Sequence, residues 1–167
     1  FAQFHQEKPK FSSKLEELQF LSKKIKYEKT DGKVIGKHQG AHYFTIGQSK
    51  GLGIGGHKES CFLISRDMET NTIYVGEGKN FPGLFRKALK IENNEVHWVR
   101  EDLRLQNGES TALMVRIRYR QTLEKATLYQ FEEGLFIEFE NPQSAIAEGQ
   151  FAAWYDGEEL LGSGVIS

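Results

Sequence analysis

The start of the chain has the hydrophobic spacing of a single amphipathic helix. Apolar residues recur there every three or four positions: Leu15, Leu18, Leu21 and Ile25. Ser13 and Glu16, three residues apart at the front of this run, form the pattern of a helix capping box. We therefore predict a helix over residues 14–24, with its charged side chains on the solvent side.

Two hairpins are predicted after this helix. Residues 25–29 suit a short strand, Asp31-Gly32 is a strong turn signal, and Val34-Ile35 would begin the return strand. The second hairpin would pair residues 61–66 with residues 72–76 through the turn between them.

The rest of the chain has little helical periodicity and many short β-like runs. The runs cover residues 88–91, 96–99, 112–120, 126–131, 135–139, 151–155 and 162–166. Turn signals separate them: Asn93-Asn94, Asn107-Gly108, Glu133-Gly134, Asn141-Pro142 and Asp156-Gly157. Such a pattern favours a closed barrel or a sandwich. Residues 80–83 interrupt it, so we predict a small α+β domain over residues 1–82 and a β domain over residues 83–167.

Charge is unevenly distributed along a chain whose formal net charge is only −1. Residues 1–60 contain 11 Lys and Arg against 6 Asp and Glu, and residues 61–167 contain 11 against 17. This favours a basic face toward the N-terminal end, although a solvated lysine-rich surface would give the same count. No apolar run approaches the roughly 18 residues of a membrane span, so we expect no membrane partner.

Residues 36–56, GKHQGAHYFTIGQSKGLGIGG, form an unusually glycine-rich stretch that predicts a shaped loop. Gly51-x-Gly53-x-x-Gly56 matches the dinucleotide-binding pattern, but that pattern needs a helix at its third glycine. A strand-like run beginning at Cys61 follows instead. A phosphate-binding P-loop is also excluded, because His57 and Lys58 stand where Lys and Ser or Thr are required.

Three arginines alternate with Val115, Ile117 and Tyr119 in the predicted strand over residues 112–120. In a strand they would form a cationic stripe, Arg116, Arg118 and Arg120, opposite a buried face. Their spacing of roughly 6.6 Å suits the phosphates of a nucleic-acid strand. The alternative is cross-strand pairing with Glu138 and Glu140, which would neutralise the stripe.

The glycine-rich stretch and three later motifs resemble the tRNA-specific 2-thiouridylase family. The later motifs are residues 118–121 (RYRQ), residues 142–150 (PQSAIAEGQ) and residues 155–166 (YDGEELLGSGVI). The resemblance runs from about Gly32 to Ser167. Two positions depart from it: Ser49 stands where relatives usually have Arg, and Glu148 where they often have Pro.

This resemblance implies a fold and a set of sites. It implies a mainly β chain, in which a small α+β central domain precedes a translation-factor-like β-barrel. It implies tRNA contacts at Arg118, Tyr119 and Gln150, to which the stripe argument adds Arg116 and Arg120. Residues of the glycine-rich loop would lie near the tRNA and the catalytic domain: His38, Gly40, Gln48, Lys50, Gly51, Gly53, Gly55 and Gly56.

Metal and cysteine chemistry are not expected in this chain. His38, His42 and His57 lie among glycines with one cysteine nearby, so a closed zinc set is not available and loop hydrogen bonds are the preferred role. Cys61 sits in an apolar run with no activating group but Lys58, and its context matches neither of the two working cysteines of the family.

The resemblance implies a cytoplasmic tRNA-modifying enzyme of which this chain is the C-terminal part. The full-length enzyme would use ATP with Mg²⁺, bound in a preceding N-terminal domain, to adenylate the wobble uridine 34, and a persulfide from a sulfur-relay protein to thiolate it. The ATP-binding motif SGGxDS is absent here, so we expect tRNA binding without turnover and without a cofactor in this part. A stand-alone RNA-binding module and a protein-interaction barrel are the alternatives.

Overall fold

The computed structural model describes residues 9–167 and confirms the predicted helix, α1, over Lys14–Ser22. The Ser13 hydroxyl accepts a hydrogen bond from the Glu16 amide at 3.2 Å, as a helix N-cap should. In a capping box, Glu16 would in turn accept from the Ser13 amide, and this bond is not the one formed. The Glu16 carboxylate accepts from the amide and hydroxyl of Ser12, at 2.9 and 2.7 Å, because Ser12 also offers a side-chain donor.

Helix α1 packs on the outside of the β-barrel that follows later in the chain. Leu18 is fully buried against Ala88 and Phe136. Lys14 forms an ion pair of 2.7 Å with Glu138. Burial would lower the pKa of Lys14, but its bonds to Glu138 and Glu17 raise that pKa above its ordinary value.

The first predicted hairpin is wrong. Residues 25–28 and 32–40 form no strand, and Lys29–Asp31 is a 3-10 turn in which Asp31 accepts from the Glu28 amide at 2.7 Å. Val34 is 88% exposed. The local turn signal is real, but apolar runs this short bury too little surface to form an isolated hairpin.

The second predicted hairpin is confirmed. Strand β1 (Cys61–Asp67) pairs antiparallel with β2 (Thr72–Glu77), with Cys61 opposite Glu77. Asp67 closes the turn by accepting from the Thr70 hydroxyl at 2.7 Å and from the Glu69 amide at 2.9 Å. The turn is thus fixed by residues adjacent in sequence, which is why the sequence pattern predicts it.

A closed six-stranded antiparallel barrel follows, so the barrel alternative is confirmed and the fold is mainly β. Its strands are β3 (Phe85–Trp98), β4 (Ser110–Arg116), β5 (Glu124–Phe131), β6 (Gly134–Ser144), β7 (Phe151–Asp156) and β8 (Glu159–Ile166). Around the barrel the order is β3-β6-β5-β4-β7-β8. Trp98 and Trp154 meet edge to face in its core with ring centroids 5.4 Å apart.

Two predicted turns lie inside long strands instead. Asn93-Asn94 is part of β3, at the irregularity where β3 changes its pairing from β6 to β8. Asn141-Pro142 is part of β6 and exposed, and β6 pairs with β3 on both sides of it. Proline has no backbone N–H to donate to a neighbouring strand. At an exposed irregularity no such bond is required, so the strand continues through Pro142.

The predicted strand over residues 112–120 is too long. Strand β4 ends at Arg116, and residues 117–121 form a turn in which the Ile117 amide donates to the Gln121 side chain at 3.2 Å. Val115 and Ile117 are buried as predicted, but Tyr119 is 86% exposed rather than in the core. Only Arg116 lies in the strand, and Arg118 and Arg120 lie in the turn. The predicted straight stripe of three arginines is therefore wrong.

The hairpin and the barrel meet through a small apolar cluster, which we call the junction cluster. It contains Ile64, Leu84 and Ala145 with Tyr27, Ile46, Phe62, Tyr74, Phe81 and Phe85 around them. The Ala145 amide donates to the Leu84 carbonyl at 2.7 Å. The cluster therefore joins the glycine-rich loop, the β1–β2 hairpin and the start of the barrel.

Candidate nucleic-acid interface

The turn over residues 117–121 lies directly against the segment over residues 143–150. The Gln121 side chain donates to the Gln143 side chain at 2.7 Å, and Gln143 donates to the Asn141 carbonyl at 2.9 Å. Arg118 donates to the Ser144 carbonyl. Two motifs that are more than twenty residues apart in sequence thus form one continuous surface.

Arg116 is positioned by two tyrosine rings at the edge of this surface. It donates to the Tyr155 hydroxyl at 2.8 Å, and its guanidinium carbon lies 5.0 Å from the Tyr155 ring centroid and 5.9 Å from that of Tyr119. These are cation–π distances. They hold the charge in place without neutralising it.

The arginines of this surface have no carboxylate partner within the described residues, in contrast to Arg100 and Arg104. Arg100 pairs with Asp102 and Glu159, and Arg104 with Glu101, but no ion pair is found for Arg116, Arg118 or Arg120. Partial burial of the guanidinium lowers the pKa of Arg118 from its ordinary value. These cations remain available for an anionic ligand.

The alternative interpretation, in which glutamates of β6 neutralise the arginines, is wrong. Strand β5 lies between β4 and β6 in the barrel, so Glu138 and Glu140 are not cross-strand neighbours of Arg116. Glu138 pairs with Lys14 of α1. The strand that does face Arg116 is β7, where Ala153 is its register partner.

Gln150 is the last residue of the segment over residues 143–150 and directly precedes β7. Its side-chain oxygen accepts from the Ala147 amide at 3.2 Å, and its carbonyl accepts from the Ile166 amide at 2.8 Å. Phe151 follows it and is 65% exposed. The structure thus brings Gln150 to the same end of the barrel as the turn, because Phe151 is two residues from Ala153 on β7.

The glycine-rich loop reaches this surface at Ile46 and Gly47, which line one pocket with Arg118 and Ala145. The Gly47 amide donates to the Leu63 carbonyl at 2.8 Å, and the Leu63 amide donates to the Gln48 carbonyl at 2.9 Å, so the loop adds to the edge of β1. The Gln48 side chain accepts from the Thr45 amide at 3.0 Å and donates to the Lys50 carbonyl at 2.8 Å. Gln48 therefore shapes the loop.

The remaining predicted loop residues occupy two other places. Lys50, Gly51, Gly53, Gly55 and Gly56 are exposed and lead into β1. His38 and Gly40 lie toward the opposite end of the loop, where the Ala41 amide donates to Asn71 in the β1–β2 turn at 2.8 Å. Strand β1, rather than a helix, is the next regular element after Gly56, so the dinucleotide-binding context is missing.

The histidines do not form a common site. His38 packs edge-on against Phe44, and its Nδ1 is buried without a hydrogen-bond partner, contrary to the preferred role. His42 lies against Tyr43, and His57 Nδ1 is 3.4 Å from Glu77. Across residues 9–167, no three His, Cys, Asp or Glu side chains are grouped as a metal site.

Cys61 has the environment of an inert thiol. Burial, with a smaller contribution from Glu77, raises its pKa above the ordinary value. A raised pKa keeps the sulfur protonated at neutral pH, and the thiolate is the nucleophilic form. None of the helices within residues 9–167 has the length and apolar composition of a membrane-spanning segment.

Two residues near this surface had little or no signal in the sequence. Arg86 donates to the carbonyls of Ser22 and Ile146, at 2.8 and 2.7 Å, and so connects α1 to the segment over residues 143–150. Lys79 and Arg118 line the same pocket at the junction between hairpin and barrel. Neither belongs to a motif, and each acquires its neighbours only through folding.

Known protein families match both the barrel and the part of the chain that precedes it. Residues 88–166 match the aminomethyltransferase beta-barrel domain family, and residues 16–77 match the tRNA methyl transferase PRC-barrel domain family. The tRNA-specific 2-thiouridylase MnmA of Flavobacterium johnsoniae is 60% identical over 152 residues, which is 91% of this chain. The chain belongs to the tRNA-specific 2-thiouridylase family.

Other family members match a similar share of this chain. The tRNA-specific 2-thiouridylase MnmA of Christiangramia forsetii is 57% identical over 94% of this chain, and that of Karelsulcia muelleri is 48% identical over 92%. The chain spans only 38–40% of the length of these three 2-thiouridylases and corresponds to their C-terminal part.

Proposed function

We propose that this chain is the tRNA-binding C-terminal part of a tRNA-specific 2-thiouridylase. The observation that carries the proposal is the surface on which the turn over residues 117–121 contacts the segment over residues 143–150. It presents cations without carboxylate partners together with an exposed tyrosine. Guanidinium groups bind phosphate oxygens, and aromatic rings stack on unpaired bases.

Roles follow for the individual residues of this surface. Arg118 and Arg120 contact phosphates, and Arg116 does so from a position fixed by Tyr155. Tyr119, exposed beside Arg116, stacks on a base or sugar, and Gln150 donates its side-chain amide to the RNA. The glycine-rich loop, connected to this surface at Gly47, borders the RNA on one side.

The complete enzyme would install 2-thiouridine at position 34 of its tRNA substrate. By family resemblance, an N-terminal domain binds ATP and Mg²⁺ and activates the uridine, and a sulfur-relay protein supplies persulfide sulfur. The residues described here do not fit that cofactor, because the Gly51–Gly56 stretch leads into a strand and has no phosphate-binding helix. The chain itself would position tRNA in the cytoplasm without catalysing sulfur transfer.

We also propose a division into a central unit, residues 1–82, and a barrel unit, residues 83–167. The separate β1–β2 sheet and closed barrel support this division, as do the limits of the two matched domain families, at residues 77 and 88. Helix α1 bridges the two units, since it precedes the hairpin but packs on the barrel.

Direct binding measurements test the proposal. Labelled tRNA containing a wobble uridine is titrated with the wild-type chain and with Arg116→Ala, Arg118→Ala and Arg120→Ala variants over a range of salt concentrations. Each phosphate-contacting arginine should contribute about 0.9 to the slope of log affinity against log salt. Arg104→Ala is the control, because it removes the same charge from a guanidinium already paired with Glu101.

Three outcomes would contradict the proposal or a part of it. If the wild-type chain did not bind tRNA at low salt, the RNA-binding surface would lie in another part of the full-length enzyme. If all three arginine variants kept the wild-type affinity and salt slope, these arginines would not contact RNA. A second tRNA without a wobble uridine measures discrimination, and thiolated product formed by this chain with ATP and a sulfur donor would overturn its non-catalytic role.

A further inference from the structure

A pocket of about 340 Å³ lies at the junction between the glycine-rich loop, the β1–β2 hairpin and the barrel. Most of its lining residues are apolar, and we call four of them, Ile46, Phe62, Leu84 and Phe85, its apolar wall. The charged lining residues are Lys79 and Arg118, and no carboxylate contributes to the lining. The pocket is therefore purely cationic in charge, although the chain as a whole is slightly acidic.

The two cations approach the pocket from different parts of the fold. Lys79 follows β2 and is exposed, and no hydrogen bond or ion pair involves its ammonium group in the described part of the chain. Arg118 comes from the turn after β4 and is held by the Ser144 carbonyl. The apolar wall reduces the water around the two charges, which strengthens their attraction for an anion.

The position of the pocket favours a nucleic-acid ligand over an acidic protein segment. Arg118 belongs both to the pocket and to the proposed RNA-binding turn, so the pocket is continuous with that surface. Its lining also includes Gly47 of the glycine-rich loop. An RNA strand that lies on Arg116 and Tyr119 would reach the pocket without leaving the protein surface.

We propose that this pocket binds one phosphodiester of the RNA between Lys79 and Arg118, with the adjoining ribose against the apolar wall. The proposal rests on the proposed function and adds Lys79, from the central unit, to the RNA contacts. The RNA would thereby connect the hairpin to the barrel. Lys79 would be a binding residue with no role in the folding of the isolated chain.

The test measures binding of labelled tRNA by Lys79→Ala, Lys79→Arg and wild-type chains as a function of salt. Loss of one phosphate contact should reduce the salt slope by about one and weaken binding roughly five- to tenfold at about 0.1 M salt. Lys79→Arg should retain most of the affinity. Lys10→Ala removes a lysine charge before α1, outside the pocket, and should leave binding unchanged.

A double variant determines whether the two cations share one phosphate. If they do, Lys79→Ala combined with Arg118→Ala should weaken binding by clearly less than the product of the single effects. Additive effects would overturn the shared site, and wild-type slope and affinity in Lys79→Ala would overturn the pocket as an RNA site. Absence of tRNA binding by the wild-type chain would instead refute the proposed function, and the pocket's role with it.

Discussion

Gly47 faces Ala145 so closely that a methyl group on Gly47 would lie 2.7 Å from the Ala145 Cβ. Both residues have left-handed backbone, with φ of 85° at Gly47 and 57° at Ala145. Gly47 belongs to the glycine-rich loop, and Ala145 follows the last residue of β6. The contact joins two distant motifs and needs a residue without a side chain at position 47.

Gly47→Ala should therefore destabilise the chain by about 2–4 kcal/mol, through left-handed strain and overpacking together. Gly53→Ala is the matched control: its φ is 66°, but no atom lies within 4 Å of an added Cβ. It should cost only about 1 kcal/mol. Urea unfolding measures both, and equal losses would contradict a close contact between loop and barrel.

Arg86→Met should weaken the attachment of α1 to the segment over residues 143–150. The substitution keeps an apolar stem but leaves the Ser22 and Ile146 carbonyls without their donor, and burial already lowers the pKa of this guanidinium. We expect a loss of about 2–4 kcal/mol in unfolding free energy and faster amide exchange in α1. Arg104→Met, which removes an exposed ion pair, should change stability by less than about 1 kcal/mol. Unchanged exchange in α1 would contradict the connection.

Gly162→Ala should disrupt the barrel core. A Cβ there would lie 2.6 Å from the His97 carbonyl oxygen and 2.7 Å from the Trp154 ring, neither of which can move freely. We expect a loss of about 3 kcal/mol or more. Guanidinium unfolding followed by tryptophan emission reports this directly, because Trp98 and Trp154 are the two tryptophans of the chain and both are buried.

Gly157→Ala provides the control for this core substitution. Its φ is 58° and the space around an added Cβ is open, so only backbone strain of about 1 kcal/mol is expected. If Gly162→Ala were tolerated as well as Gly157→Ala, the tight packing of β8 against Trp154 would be refuted.

Asp67 should make the β1–β2 turn sensitive to acid. Hydrogen bonds from Thr70, first from its hydroxyl and then from its amide, lower the pKa of Asp67 below its ordinary value. A lowered folded-state pKa stabilises the fold above the ordinary value, and this contribution is lost as pH falls through the folded-state pKa. Asp67→Asn should therefore be less stable than wild type near neutral pH.

The difference between Asp67→Asn and wild type should narrow as pH falls from about 6 to about 2.5, because acid protonates the wild-type carboxylate. Urea unfolding at several pH values measures it. Thr70→Ala should reproduce part of the effect, since it removes the hydroxyl donor at 2.7 Å. A difference that is constant with pH would show that the carboxylate charge does not contribute.

Local patterns predicted those parts of the fold that neighbouring residues stabilise. The leucine spacing and Ser13 identify α1, and the turn closed by Asp67 identifies the β1–β2 hairpin. The local signal failed at residues 25–35, where a turn is present but no strands form. It also failed at Asn93-Asn94 and Asn141-Pro142, because long barrel strands change partners there and absorb the irregularity.

The sequence by itself determined the family, the mainly β architecture and the motif that contains the unpaired arginines. It could not place those arginines, because the end of β4 at Arg116 depends on Gln121 turning back to Gln143. Only the tertiary structure brought Lys79 and Arg118 to one pocket, Arg86 between α1 and Ile146, and Gly47 against Ala145. Closing a barrel brings residues together across separations that no local periodicity encodes, so contacts of this kind are decided by the packing of the whole chain.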